Sequence, residues 1–215
     1  MENKSINLYF IRHGESCSNK NRNLFYPDKV NIIDKILRLF NTVNYEPPLS
    51  KNGIKQSKQL NKRLLNYKFD LVICSNMIRS IMTGIFTFNN QEIIICPHIN
   101  EVQNFLGPYD KSNQSNKLDI LIKKLDYLKY WLKIRNIEMP PINLEYYNNQ
   151  IEPNTEKFIK VLKKIIVDKG LLNKKELNIC IISHGTFIRT NVYKYFNNEI
   201  LERKLKNTEI IKFTL

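Results

Sequence analysis

The chain has 215 residues, 42% of them hydrophobic and 11% aromatic, enough to bury the core of a single domain, and it contains no long apolar run of membrane-spanning length. A net charge of +14 raises nucleic acid as a partner. That reading is disfavoured, because the Asn, Ile and Lys excess is what an AT-rich coding sequence produces. Lys55, Lys58, Lys62, Lys123, Lys124, Lys163 and Lys164 are spread along the chain as solvated helix faces, not gathered into one patch.

The amino terminus passes from Met1-Glu2-Asn3-Lys4 straight into an apolar run, with no room for a signal peptide. A soluble, cytoplasmic protein is expected. The apolar, β-branched runs predict strands over Ile6 to Ile11, Leu71 to Cys74, Ile93 to Cys96, Ile179 to Ser183 and Glu209 to Leu215. Helical spacing falls between them. Ser50 caps a helix through Ile54, Leu60, Leu64 and Leu65 that stops near Phe69. A second runs from Ile78 to Phe88, with Ile78, Ile81, Met82 and Ile85 on one stripe. A third spans Lys117 to Ile137 and is ended by Pro140-Pro141. Thr155 caps a fourth, and two further turns follow Thr186.

Alternating strands and helices predict a three-layer α/β/α sandwich with a mostly parallel central sheet, formed by a single domain over 1–215. Two stretches fit that plan badly and are expected as cap-like insertions, at about 21–48 and 107–151. The four cysteines, Cys17, Cys74, Cys96 and Cys180, form no CxxC pair. Three lie in or at the end of apolar runs, as small buried hydrophobes do. No metal site and no cofactor are expected.

Two of the three histidines occupy matching frames, an apolar run followed by His-Gly. The first is Leu8-Tyr9-Phe10-Ile11-Arg12-His13-Gly14-Glu15 and the second is Ile179-Cys180-Ile181-Ile182-Ser183-His184-Gly185-Thr186. Each run reads as a buried strand, and each glycine permits a sharp turn at its end. In an open parallel sheet ligands sit beyond the carboxyl ends of the strands, where both imidazoles fall. Two imidazoles and an adjacent arginine suit nucleophilic attack on phosphate.

Arg12-His13-Gly14-Glu15-Ser16 with Asn19 resembles the opening motif of the histidine phosphatase superfamily, in its phosphoglycerate-mutase-like branch. The resemblance continues in order through Leu49-Ser50-Lys51-Asn52-Gly53, Cys74 to Thr83 with Arg79, Asn100-Glu101, Pro153-Asn154-Thr155-Glu156 and Ser183-His184-Gly185. It implies the phosphoglycerate mutase-like fold and a transient phosphohistidine on His13. Glu101 would act as general acid and His184 as a donor to the transferring phosphoryl group. Arg12, Arg79, Asn19 and His184 would hold the phosphate. Guanidiniums suit that task because their planar forks pair with phosphate oxygens.

The sequence departs from the mutase pattern after the acid. There Val102-Gln103-Asn104-Phe105-Leu106-Gly107 stands where mutases carry an arginine-tyrosine-glycine stretch that holds a carboxylate. Hydrolysis of a phosphomonoester, from a small molecule or a phosphoprotein, is therefore expected over mutase-type phosphotransfer. A phospho-ligand-binding protein on the same fold is the third reading, and the intact set of nucleophile and acid argues against it.

Overall fold

The computed structural model describes residues 4–17, 47–101, 118–149 and 152–215. Among these, six strands form one sheet: β1 (Ser5–Arg12), β2 (Leu71–Cys74), β3 (Ile93–Ile95), β4 (Ile142–Asn143), β5 (Glu176–Ser183) and β6 (Ile210–Thr214). Their spatial order is β4-β3-β2-β5-β1-β6. All neighbours are parallel except β6, which runs antiparallel to β1 at the edge. The helices are α1 (Lys51–Arg63), α2 (Ile78–Thr87), α3 (Leu118–Lys133), α4 (Thr155–Asp168), α5 (Gly185–Phe187) and α6 (Tyr193–Asn197), with a π-helical turn at Ile188–Val192 joining the last two. The expected sandwich is what the chain forms.

The two-residue period of a strand builds both outer layers at once. Along β5, Cys180 and Ile182 pack with Ile11, Val72 and Cys74 beneath α1, α2 and α3, where Leu60, Ile81, Ile85, Leu128 and Trp131 complete one core. The alternate residues Leu177, Ile179 and Ile181 pack with Leu8, Phe10 and Ile73 against Phe158, Leu162 and Ile165 of α4, and Phe187 and Ile188 join them. Because β1, β2, β3 and β5 are parallel, their carboxyl ends share one edge of the sheet. His13, Ser75 and His184 follow β1, β2 and β5 directly there, and a 3₁₀ turn at Pro97–Ile99 carries the chain from β3 to Asn100-Glu101.

Several expectations are corrected. The helix from Ser50 ends at Arg63, short of Phe69, and Leu65 is 72% exposed. Ser50 is its cap, accepting a hydrogen bond from the Gly53 amide. The cap of α4 is Asn154, whose side chain accepts from the Lys157 amide, so Thr155 is the first helical residue. An extended Asn154 projects its side-chain carbonyl oxygen back at the first turn, as favoured N-caps do. Lys124 is 2% exposed on α3, unlike the solvated lysines around it.

The described part of 107–151 joins one helical layer and the sheet of the sandwich. Leu121, Leu125, Leu128, Trp131 and Leu132 of α3 enter the core, and Ile142-Asn143 pair with β3 at the sheet edge. Residues 21–46, 107–117 and 150–151 of the expected insertions lie outside the described residues. Cys74, Cys96 and Cys180 are buried and unpaired, and burial pushes the Cys96 thiol up to about 12. No helix among the described residues is long and apolar enough to cross a membrane.

Candidate active site

The loop that follows β1 is pressed against the start of α1 so closely that two glycines are required. A Cβ on Gly53 would lie 2.0 Å from the Glu15 carbonyl oxygen, and one on Gly14 would lie 2.7 Å from the Gly53 carbonyl oxygen. Glu15 clasps the same helix end. Its carboxylate accepts from the Ser50 hydroxyl at 2.5 Å and from Asn52 Nδ2 at 3.0 Å, while its amide donates to Gln56 Oε1 at 2.8 Å. The Gly14 amide donates to Thr83 Oγ1 at 3.0 Å, and that hydroxyl donates to the Arg79 carbonyl oxygen at 2.7 Å. The loop bearing His13 and the helix bearing Arg79 are thereby fixed to each other.

His13 is 3% exposed. Its Nδ1 lies 2.6 Å from the Gly14 carbonyl oxygen, which can only accept, so Nδ1 carries the proton. Nε2 is left with a lone pair and receives a hydrogen bond from Arg79 Nε at 3.2 Å. Burial, followed by the positive charge of Arg79 and the proximity of His184, holds the His13 ring well below the ordinary histidine range. A neutral ring with an unprotonated Nε2 is the form that attacks phosphorus.

Arg79 joins His13 to Glu101, its Nη2 lying 3.3 Å from Glu101 Oε2. The same carboxylate oxygen stands 3.2 Å from His184 Nδ1. The two histidine rings are 5.1 Å apart between centroids and tilted by 60°. On the far side of the His184 ring, Nε2 lies 2.7 Å from the Ser75 hydroxyl. Burial alone would raise the Glu101 carboxyl, but His184, Arg79 and His13 overcome it and hold Glu101 far below the usual carboxylate range. Glu101 is thus an anion lying across the groups that would receive another anion.

Arg12 is the second guanidinium. Its Nη1 donates to the Leu205 carbonyl oxygen, and a Cβ on Gly185 would come within 3.2 Å of its Nε. Gly185 thus lets the Arg12 side chain cross the start of α5. Burial lowers the Arg12 affinity for its proton, Glu101 restores some of it, and Arg79 opposes it. His13, Arg12, Arg79, Glu101 and His184 therefore come together from three strand ends and one helix. Asn19 lies outside the described residues.

Sequence reasoning missed the support from the carboxyl-terminal segment, where Asn207 Nδ2 donates to the His13 carbonyl oxygen at 3.0 Å and Leu205 accepts from Arg12. No local pattern marks either residue. His98 is structural, buried with Nδ1 3.3 Å from the Glu152 carbonyl oxygen, and its own carbonyl accepts from the Asn154 amide.

The ring nitrogens of His13 and His184 and the carboxylate of Glu101 offer ligand atoms within 4.8 Å of one another, close enough for a divalent cation. The Arg79 guanidinium already bonds two of those three residues. A cation would have to displace a buried cation, whereas an anion would meet two guanidiniums. The charge arrangement favours a phosphate-sized anion.

A model of the histidine phosphatase superfamily (branch 1) matches residues 41–122. An uncharacterized protein of Acanthamoeba polyphaga mimivirus is 27% identical over 250 residues, covering 96% of this chain and 46% of that relative. A 2,3-bisphosphoglycerate-dependent phosphoglycerate mutase of Methanococcus vannielii is 36% identical over 86 residues, covering 40% of this chain and 29% of the mutase. The chain thus spans less than half the length of these curated relatives. Among solved structures, a phosphoglycerate mutase of Bacillus anthracis has a TM-score of 0.55 at 16% identity, covering 100% of this chain and 89% of that one. A phosphoserine phosphatase of Entamoeba histolytica has a TM-score of 0.51 at 17% identity, covering 97% and 90%.

Proposed function

We propose that this chain is a member of the histidine phosphatase superfamily and hydrolyses phosphomonoesters through a covalent phosphohistidine on His13. The single observation that carries the reading is the state of that ring. Its Nδ1–H is tied to the Gly14 carbonyl, and its bare Nε2 faces Arg79 within hydrogen-bonding distance of the anion-binding groups.

An entering phosphoryl group takes over the donors of Arg79, Arg12 and His184 that now meet His13, Glu101 and Leu205. His13 Nε2 attacks phosphorus as the P–O bond to the alcohol breaks. The charge that spreads over the equatorial oxygens is met by two guanidiniums and the His184 N–H. Displacing Glu101 from its cationic partners and setting a phosphate beside it both raise the affinity of its carboxyl for a proton. Glu101 then gives that proton to the leaving alkoxide, and in the second half-reaction takes one from the water that attacks the phosphohistidine.

Hydrolysis is preferred to mutase-type transfer because a mutase must hold a substrate carboxylate, and Val102-Gln103 follows the acid where mutases carry a basic residue. The likeness to the Methanococcus vannielii mutase supports the shared phosphoryl-transfer chemistry and keeps 3-phosphoglycerate in the test panel. The purified protein should hydrolyse members of a phosphomonoester panel with EDTA present throughout, and it should turn over 3-phosphoglycerate with 2,3-bisphosphoglycerate more slowly. Activity lost to EDTA and restored by zinc or magnesium would overturn the guanidinium-based site. Efficient mutase turnover would assign the carboxylate to another residue.

A further inference from the structure

The two ring nitrogens of His184 meet different partners, and one of them stands outside the set assigned to phosphate. Nδ1 faces the site and lies 3.2 Å from Glu101 Oε2. Nε2 faces away and lies 2.7 Å from the hydroxyl of Ser75, which is fully buried. Ser75 follows β2 directly and His184 follows β5 by one residue. The two strands are parallel neighbours with Cys74 opposite Ile182. The Ser75 amide donates to the Ile182 carbonyl oxygen at 3.1 Å, so the backbone that carries the hydroxyl is itself pinned to β5. The Ser80 hydroxyl donates to the same carbonyl at 2.7 Å, tying the start of α2 to that point as well.

With the His184 ring neutral, hydrogen-bond accounting fixes the direction of the Ser75–His184 contact. A serine hydroxyl has one proton to give and two lone pairs. One lone pair of Ser75 Oγ accepts from the Met77 amide at 3.4 Å. A neutral imidazole has one N–H and one bare nitrogen. A bare Nδ1 would turn its lone pair toward a carboxylate oxygen, so the N–H belongs on Nδ1. Nε2 is then the acceptor, and the Ser75 hydroxyl is its donor.

We infer that Ser75 is a positioning residue, whose hydroxyl holds the His184 ring in the tautomer and orientation that present Nδ1–H to the transferring phosphoryl group. This rests on the reading of His184 as a phosphoryl donor. Without the hydroxyl, the neutral ring can place its proton on either nitrogen, and in one of the two forms a lone pair faces the phosphate oxygens. Ser75 itself touches no reacting atom.

The test uses Ser75→Ala, His184→Ala and the double variant, with melting curves to establish that each is folded. Removing a transition-state donor costs about 10²- to 10³-fold. Ser75→Ala, which mis-aims the donor without deleting it, should lower kcat by roughly tenfold to a hundredfold with little change in KM. In the His184→Ala background the same substitution should change kcat by less than about twofold, because nothing remains to position. An equal loss in both backgrounds would overturn the inference. ¹⁵N spectra of the histidine rings give a readout that needs no turnover. With the ring neutral, His184 in the wild-type protein should show a protonated Nδ1 and a bare Nε2, and Ser75→Ala should mix the two tautomers. A wild-type His184 protonated on Nε2 would overturn the inference even in a fully active enzyme. A wild-type protein that hydrolyses no ester yet shows the expected tautomer would refute the phosphatase reading and leave the role of Ser75 standing.

Discussion

The two His-Gly frames begin as near copies and end as opposites. In the first, the ring is tied to its own chain: His13 Nδ1–H donates to the carbonyl of Gly14, and Nε2 is the nitrogen offered to the site. In the second, the ring is tied to a neighbouring strand end: His184 Nε2 meets Ser75, and Nδ1 is the nitrogen offered. One frame presents a lone pair beside a guanidinium and the other an N–H beside a carboxylate. The sequence motif places an imidazole, and the partner of the hidden nitrogen decides its chemistry. That partner is local for His13 and remote for His184, which is why the first role is easier to read from sequence than the second.

The largest expected effect separates the two rings directly. His13→Ala should bring hydrolysis of an aryl phosphate to background, since it removes the proposed nucleophile. His184→Ala should retain measurable turnover, slowed by about 10²- to 10³-fold as for loss of one donor. Loss of similar size in both variants would erase the distinction between attacker and donor.

Glu101 comes next, because it bridges the frames through Arg79 and His184. Glu101→Gln should slow phosphoryl transfer from an alkyl ester by roughly 10²-fold, the usual range for a general acid. Transfer from a nitrophenyl ester should slow much less, because nitrophenolate leaves without help. Equal slowing of both in single-turnover measurements would make Glu101 a group that positions Arg79 and His184, not a proton donor.

The smallest effect is on stability. Burial, then Arg79 and His184, lowers His13, and burial also lowers His98, below the ordinary value of 6.5. Both rings stay neutral in the folded chain where the unfolded chain takes up protons. Their contribution is complete above about pH 6.5 and is lost as the pH falls below it, at no more than about 1.4 kcal/mol per pH unit for each group. Denaturant unfolding between about pH 7.5 and 5.5 should show that fall, and His13→Gln should flatten it. Unchanged slopes would mean that the buried His13 ring takes up a proton without unfolding.

Most of the fold is legible because most of its strands are buried on both faces and read as continuous apolar runs. β1, β2, β3 and β5 are found this way within a few residues, and the half-exposed edge strand β6 is found by its β-branched run alone. β4 is not, since Ile142-Asn143 after two prolines carries no period at all and is a strand only because β3 lies alongside. The cap of α4 is misread by one residue because Asn154 and Thr155 are both good caps and only the backbone angles choose between them. The helix holding Trp131 reads correctly as a helix, but nothing in its spacing says which surface receives it. For the site, Arg12, His13, Arg79, Glu101 and His184 are announced by motif. Ser75 sits inside one of those motifs without advertising a partner 109 positions away. Asn207 and Leu205 come from a segment with no pattern, and their contacts exist only because β6 returns beside β1.

During turnover His13 Nε2 should become covalently phosphorylated while His184 does not. Rapid acid-free denaturation after mixing with a ³²P-labelled phosphomonoester tests this most directly, with the label then assayed for acid lability and located by peptide mapping. An acid-labile label is expected on the peptide containing His13 in the wild-type protein and in His184→Ala, and none in His13→Ala. An acid-labile label on His184, or full turnover in His13→Ala, would contradict the assignment of His13 as nucleophile.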